Sequence, residues 1–269
     1  GDLVFISGSV RQIQAILGNS IQFGQVDAAT ALTAINNGAD LVIISGSLNS
    51  FPYSFVTSKD IRKPEDLSGK RIGILAVGGA TETATFLALK AWNVPRQSVT
   101  IFPAGDSASR IIALSAKAID GTMLSYPDIN EALRLGLQEF AKMSDVKGSS
   151  FPMNVMVARR SWAEKNRDTV KRFQQAHAEG VYQFMNNKER GVAVLGKRLR
   201  FKNPKAIEET YQYFAKSFAF PTRVSHEGLR NTLEIIAQRK VDMNLAKYLD
   251  ESTLDELERE GFFKKLGAK

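Results

Sequence analysis

Short apolar runs punctuate the chain: DLVFI at 2–6, IQFGQV at 21–26, LVIIS at 41–45, RIGIL at 71–75, VTIF at 99–102, IDGTML at 119–124 and MNVMVA at 153–158. Rich in branched side chains and bounded by small or polar residues, they predict buried strands. Apolar positions three and four apart predict helices over 10–17 and 28–37, the latter ending at Asn37-Gly38. Further helices are expected from Gly78–Glu82 through Trp92, from an Asp106 or Ser107 cap, and from Ser125–Asp128 to about Gly136. Strands alternating with helices predict a parallel sheet with covered faces. FPYSFVTS at 51–58 reads as another extended run, and the polar stretch 59–70, broken by Pro64 and Gly69, is where the chain is expected to cross between lobes. After the strand at 153–158 the pattern is helical, with Ser161, Asp168, Asn203, Ser225 and Ser252 as candidate N-caps and Pro204 at a first helical position.

One unit occurs twice. IQAILGNSI at 13–21 and IIALSAKAI at 111–119 share a frame, pairing Ile13 with Ile111, Ala15 with Ala113, Ile16 with Leu114 and Ile21 with Ile119, at a constant offset of 98 (13 + 98 = 111, 21 + 98 = 119). Each copy reads as helix, small-residue turn and strand, and each follows a Gly/Ser loop: Ser7-Gly8-Ser9 and Gly105-Asp106-Ser107. Two similar lobes with a ligand cleft between them are the expected arrangement. The plainer reading is chance similarity between two common α/β units.

Composition narrows the chemistry. The 269 residues suffice for one large or two medium domains, and 43% hydrophobic and 24% charged residues are ordinary globular values. No run reaches the roughly 18 apolar residues of a membrane helix, and no basic-then-apolar leader is visible. The absence of Cys excludes disulfides, thiolate metal sites and Cys nucleophiles. His177 and His226 are far apart, so a His metal site is not expected. The net charge of +8 is uneven: 159–205 holds thirteen Lys/Arg against four Asp/Glu. Val181, Phe184 and Met185 have the spacing of a buried helix face, which favours a solvated amphipathic helix over a nucleic-acid patch.

The stretch FPYSFVTSKDIRKPEDLSGKRIGI at 51–74 carries an aromatic-Pro-Tyr strand and then I-x-x-P-E-D-L-x-G-K-x-I-G. With the strand-then-SGS loop at 7–9, FGQV at 23–26, AIDG at 118–121 and DTVKRF at 168–173, it resembles the type II periplasmic substrate-binding proteins of ABC importers. The branch it resembles is the sulfonate/nitrate/taurine type, which includes binders of thiamine-pyrimidine precursors. The resemblance implies an α/β fold of two lobes, 1–58 with 160–269 and 59–159, joined by two crossover strands and closing on a small solute by hinge motion. It implies a periplasmic location, ABC permease subunits as partners, no cofactor, no catalysis and no nucleic acid. Family members carry a further strand and helix before the part matching DLVFISGS; here that piece of lobe one is expected to be missing, leaving a sheet edge for something else to cover. Two alternatives stand beside this: a thiamine-pyrimidine synthase-like enzyme, which resembles the fold but requires a Cys-rich iron motif, and the sensing module of a regulator.

Ligands of such sheets sit outside the C-terminal ends of strands. That rule selects Ser7, Gly8 and Ser9; Asp27, Ala28 and Thr30; Ser47 and Asn49; Gly78, Gly79, Ala80 and Thr81; Asp106; and Ser125 and Tyr126, with Tyr53 as a further stacking candidate. Most precede helices, whose free N–H groups favour polar or anionic groups. Singly, Ser7, Ser9, Asp27, Thr81 and Asp106 are as well explained as N-caps, and Phe51 and Tyr53 as core. Gly78-Gly79 lacks the Lys of a phosphate-binding loop. None of these loops holds an Arg or Lys, and Arg110 is expected to lie in a helix. That weakly favours a neutral or aromatic ligand, or an anion held by N–H groups alone.

Overall fold

The structure, a computed structural model, describes all residues except 7, 200–202, 237–240 and 268–269, and the side chain of 199. The element order begins α1 (Ser9–Leu17), β1 (Phe23–Val26), α2 (Ala28–Asn36) and β2 (Val42–Ser50). There follow β3 (Ser54–Thr57), β4 (Arg71–Ile74), α3 (Ala80–Ala91), β5 (Thr100–Pro103), α4 (Ser107–Ser115), β6 (Gly121–Leu124), α5 (Asp128–Arg134) and β7 (Gln138–Lys142). After β8 (Ser150–Ala158) come α6 (Arg160–Lys165), α7 (Arg167–Asn186), α8 (Lys188–Leu199), α9 (Pro204–Ser217), α10 (His226–Ile236), α11 (Ser252–Arg259) and α12 (Phe262–Leu266).

These elements form two compact units, Gly1–Asn49 with Phe151–Gly191 and Ala215–Lys269, and Ser50–Ser150 with Val192–Phe214. The sequence assigned 1–58 and 160–269 to one lobe and 59–159 to the other, whereas 151–159 groups with the first unit, and 50–58 and 192–214 with the second. There Asn130 donates to Glu209 at 2.5 Å and Tyr126 packs on Tyr213 with ring centroids 5.0 Å apart.

In the first unit the sheet order is β1-β8-β2, with β1 antiparallel to β8. Its core gathers Val42, Ile44, Ala158, Ala163 and Val170, with Phe23 stacked on Phe173 at 4.0 Å. The outer side of β2 is closed from far along the chain: Ile43 N donates to Tyr248 O at 2.8 Å and Asp250 N to Ile43 O at 2.9 Å. Arg223 holds α11 through Glu251, Asp255 and Glu258. Beneath β2, Gln174 donates to Ile44 O at 2.8 Å, and one turn on His177 stacks against Phe173. Burial pushes the His177 pKa down to about 4.

The second sheet runs β5-β4-β6-β3-β7. β4 is parallel to β5 and β6, and β3 is antiparallel to β6 and β7. In this sheet the expected parallel arrangement holds for β4, β5 and β6, while β3 runs against both of its neighbours. Two clusters build the core: Val56, Ile111, Leu114, Ile119, Leu124 and Ile129 form one, and Phe55 meets Trp92 and Phe140 edge-on at 5.5 and 6.2 Å in the other.

The doubled unit is present in full. Adding 98 to α1 (9–17) gives α4 (107–115), and adding 98 to β1 (23–26) gives β6 (121–124). The turns match bond for bond: Ser20 N and Ile21 N donate to Ala15 O, and Ala118 N and Ile119 N donate to Ala113 O. At the turn, Asn19 (φ 60°) and Lys117 (φ 56°) both adopt the left-handed conformation.

Two expectations fail here. The strand over 2–6 does not form, and Leu3, Val4 and Phe5 are 85%, 63% and 92% exposed. Residues 2–6 join no sheet, and side chains of α1 meet the neighbouring backbone instead: Gln25 N of β1 donates to Gln12 Oε1 at 3.0 Å and Asp27 N, just beyond it, to Ser9 Oγ at 3.2 Å. The loop expected after residue 45 is also absent, because β2 stays extended to Ser50. Backbone from 219 and 222 supports it, Ala219 N donating to Ser47 O and Gly46 N to Thr222 O.

Candidate functional site

In the second unit, parallel β4, β5 and β6 end on one edge of the sheet. β3 runs the other way with Ser54 opposite Leu124, so its start lies at that same edge. The strand-end rule thus gathers Tyr53, the 75–81 loop, Asp106, Ser125 and Tyr126 on one rim. Gly78, at φ 75°, donates its N–H to Glu82 at 2.7 Å, and Gly79 caps α3, with Ala80 its first residue. Buried Thr81 accepts from Leu75 N at 3.0 Å, so its hydroxyl fixes the loop. Leu75 and Val77 stand exposed on this loop. Asp106 caps α4 by accepting from Ser109 N at 2.8 Å. That bond holds its carboxyl below the usual range. Ser125 is half-buried. Tyr126, half-buried against Tyr213, has its hydroxyl pKa raised by partial burial and by the charges of Glu139 and Glu209. Tyr53 stacks near buried Phe51 at 5.9 Å.

The first unit brings together Gly8, Ser9, Asp27, Ala28 and Thr30. Gly8 caps α1 at φ 87°. Asp27 caps α2 with both carboxylate oxygens engaged, accepting from Thr30 N at 2.9 Å and Thr30 Oγ1 at 2.7 Å. Ala28 is fully buried. Replacing Asp27 by Ala should cost about 1–2 kcal/mol in urea unfolding, with Asn recovering most of it. Ser7 lies outside the described residues. Ser47 and Asn49 sit within β2 rather than in a loop. Ser47 is buried, and Asn49 ties β2 to the start of α10, donating to Arg223 O and accepting from Ser225 N, both at 2.8 Å.

Sequence reasoning missed one residue above all. Arg110 lies in α4, as expected, but its guanidinium is buried and returns to the loops. Nε donates to Gly105 O at 3.1 Å and Asp106 O at 3.3 Å; Nη1 donates to Thr122 Oγ1 at 2.9 Å and Met123 O at 2.5 Å. Thr122 in turn donates to Gly73 O at 2.8 Å, so one cation braces β4, β6 and the β5–α4 loop. None of the loops holds an Arg or Lys, and Arg110 lies in α4 as expected, but its guanidinium reaches back to the β5–α4 loop. The repeat held the signal. Position 110 answers to Gln12 (12 + 98 = 110) and Met123 to Gln25 (25 + 98 = 123), and Gln12 braces Gln25.

The family described as NMT1/THI5 like matches residues 2–190, more than half of the chain. The chain belongs to the NMT1/THI5-like family. It is 27% identical over 177 residues to the taurine-binding periplasmic protein of Escherichia coli K12, an alignment covering 65% of this chain and 54% of that protein. The chain thus spans about half the length of the curated relative it matches. Its fold is that of the periplasmic binding proteins. The periplasmic aliphatic sulphonate-binding protein SsuA of Escherichia coli superimposes with a TM-score of 0.76 at 16% identity, covering 91% of this chain and 80% of that one. The ligand-binding component of an ABC-type import system from Staphylococcus aureus gives 0.74 at 14% identity, covering 95% and 87%. In this NMT1/THI5-like chain, β3 runs antiparallel to both of its sheet neighbours, and β8 runs antiparallel to β1. Among the described residues no helix is long and apolar enough to cross a membrane, and no group of His, Cys, Asp and Glu is arranged to hold a metal ion.

Proposed function

We propose that the chain is an extracytoplasmic solute-binding protein that captures a small polar molecule and passes it to an ABC importer without chemical change. The two compact units are its two lobes in this reading. One observation carries it: the second sheet gathers its helix-opening loops, two half-buried tyrosines and a buried cation on a single rim. A strand-end rim built of Gly loops and helix N-termini is suited to holding a polar solute by backbone N–H groups. Membership of the NMT1/THI5-like family and the 27% identity to a taurine-binding periplasmic protein support the same conclusion.

Thermal unfolding of the purified chain against taurine, alkanesulfonates, nitrate, bicarbonate, pyrimidines, aromatic acids and amines tests this. A solute at 100 times its dissociation constant should add about 2.7 kcal/mol and raise the midpoint, with no product formed. A flat response across the panel, or turnover of any member, counts against solute delivery.

A further inference from the structure

Buried cations in proteins are ordinarily paired with carboxylates. Arg110 is only 3% exposed, yet all its hydrogen-bond acceptors are neutral: three backbone carbonyls, Thr122 Oγ1 and, at 3.4 Å, Ser107 Oγ. Asp106 and Asp128 act on it only electrostatically, without ion-pair contact. A guanidinium keeps its charge under such burial. The charge thus lies beneath the 105–107 loop and against the end of β6, where α4 also presents its positive end.

In the first copy of the repeat the same position is Gln12, a neutral, half-buried side chain that accepts from Gln25 N and so ties α1 to β1. Both copies share the helix, the turn and the strand, but the contacts differ: Arg110 is buried and donates to carbonyls and hydroxyls instead of accepting a strand N–H. The second copy alone places a unit charge at this position.

We propose that Arg110 is a positioning residue that sets the charge preference of the second unit's rim. The solute is then an anion whose charge offsets the guanidinium without touching it. This deepens the solute-binding reading and rests on it. The carbonyls of 105, 106 and 123 hold the guanidinium in place, and the loop N–H groups above it meet the ligand. Fixed charge already in place costs no reorganisation when an anion arrives.

The test uses ethanesulfonate and its neutral partner ethanesulfonamide, with taurine and nitrate, in calorimetric titrations of wild type, Arg110→Gln and Arg110→Lys. Arg110→Gln removes the charge and places at 110 the residue found at position 12. It should weaken ethanesulfonate at least about tenfold and change the sulfonamide little, while Arg110→Lys keeps the preference for the anion. Equal ethanesulfonate affinity in Arg110→Gln and wild type overturns the proposal. So does an equal loss for sulfonate and sulfonamide, which a purely structural brace would give. If Arg110→Gln does not fold, Arg110→Lys decides: anion preference retained supports the proposal, and preference lost overturns it. Wild type that binds pyrimidines or other neutral solutes but no anion sinks this inference while leaving solute binding intact. Wild type that binds nothing in the wider panel sinks solute binding itself.

Discussion

Truncating Phe55 to Ala should destabilise the chain by about 3–5 kcal/mol, the cost of emptying a fully buried aromatic site. The ring is 0% exposed, and edge-on contacts with Trp92 and Phe140 fix it. Its tip also dictates a residue on the next strand. A Cβ at Gly121 would sit 2.8 Å from Phe55 Cζ, closer than real contacts allow. Gly121→Ala alone should therefore cost about 1–3 kcal/mol. In the Phe55→Ala background the added methyl meets only the tip of Ile72, at 3.2 Å, and should cost less. Urea unfolding of the four proteins measures this, with Trp92 fluorescence as an adjacent probe. Additive costs would show that the ring is not what demands glycine at 121. The pair matters beyond stability, because Gly121 opens the strand whose next two residues anchor Arg110.

Acidification should weaken the fold well before its carboxylates titrate. His177 has a folded pKa of about 4 against 6.5 when free, and burial without a partner for Nδ1 is the cause. The folded protein therefore stays unprotonated at 177 where the unfolded chain takes up a proton. Stability is full above pH 6.5, falls as pH drops through the interval down to about 4, and is level in this term below that. Between pH 7 and pH 5 the loss should be about 2 kcal/mol. Asp40, Asp120 and Asp250, whose carboxyls are held low by hydrogen bonds, lose their contributions only at still lower pH. His177→Phe keeps a ring against Phe173 and removes the titration. Its unfolding free energy should be nearly flat from pH 7 to pH 5, and a slope equal to wild type would assign the effect elsewhere.

Much of this architecture could be read from the chain because it is locally determined. α1, α4, β1 and β6 rest on apolar spacing and on a turn whose hydrogen bonds span only a few residues. Asp27 and Asp106 were legible as caps for the same reason. The errors fall where distant partners decide. DLVFI has every local mark of a strand, but a strand needs a partner, and residues 2–6 find no place in either sheet. Ser47 and Asn49 looked like loop residues because residues 46–50 lack the bulk of a strand; contacts from 219–225 keep them extended. β7, with the sequence QEFAK, shows no apolar run because it lies at the margin of its sheet. The placement of 192–214 with the second unit leaves no local trace. Arg110 was hidden by chemistry rather than distance: an arginine early in a helix looks like a surface residue, and only the comparison with Gln12 shows that the position reaches a strand.

The junction of Ile43 with Tyr248 and Asp250 has a consequence for folding. β2 meets its covering segment only across some two hundred intervening residues, the kind of long-range closure that is slow to form. Until it forms, the folding chain carries an unpaired edge, a template for pairing with other chains. Closure of the first unit is thus set by one of its most distant contacts, and truncation just before residue 248 would leave a polypeptide whose second sheet can be complete while its first remains open to aggregation.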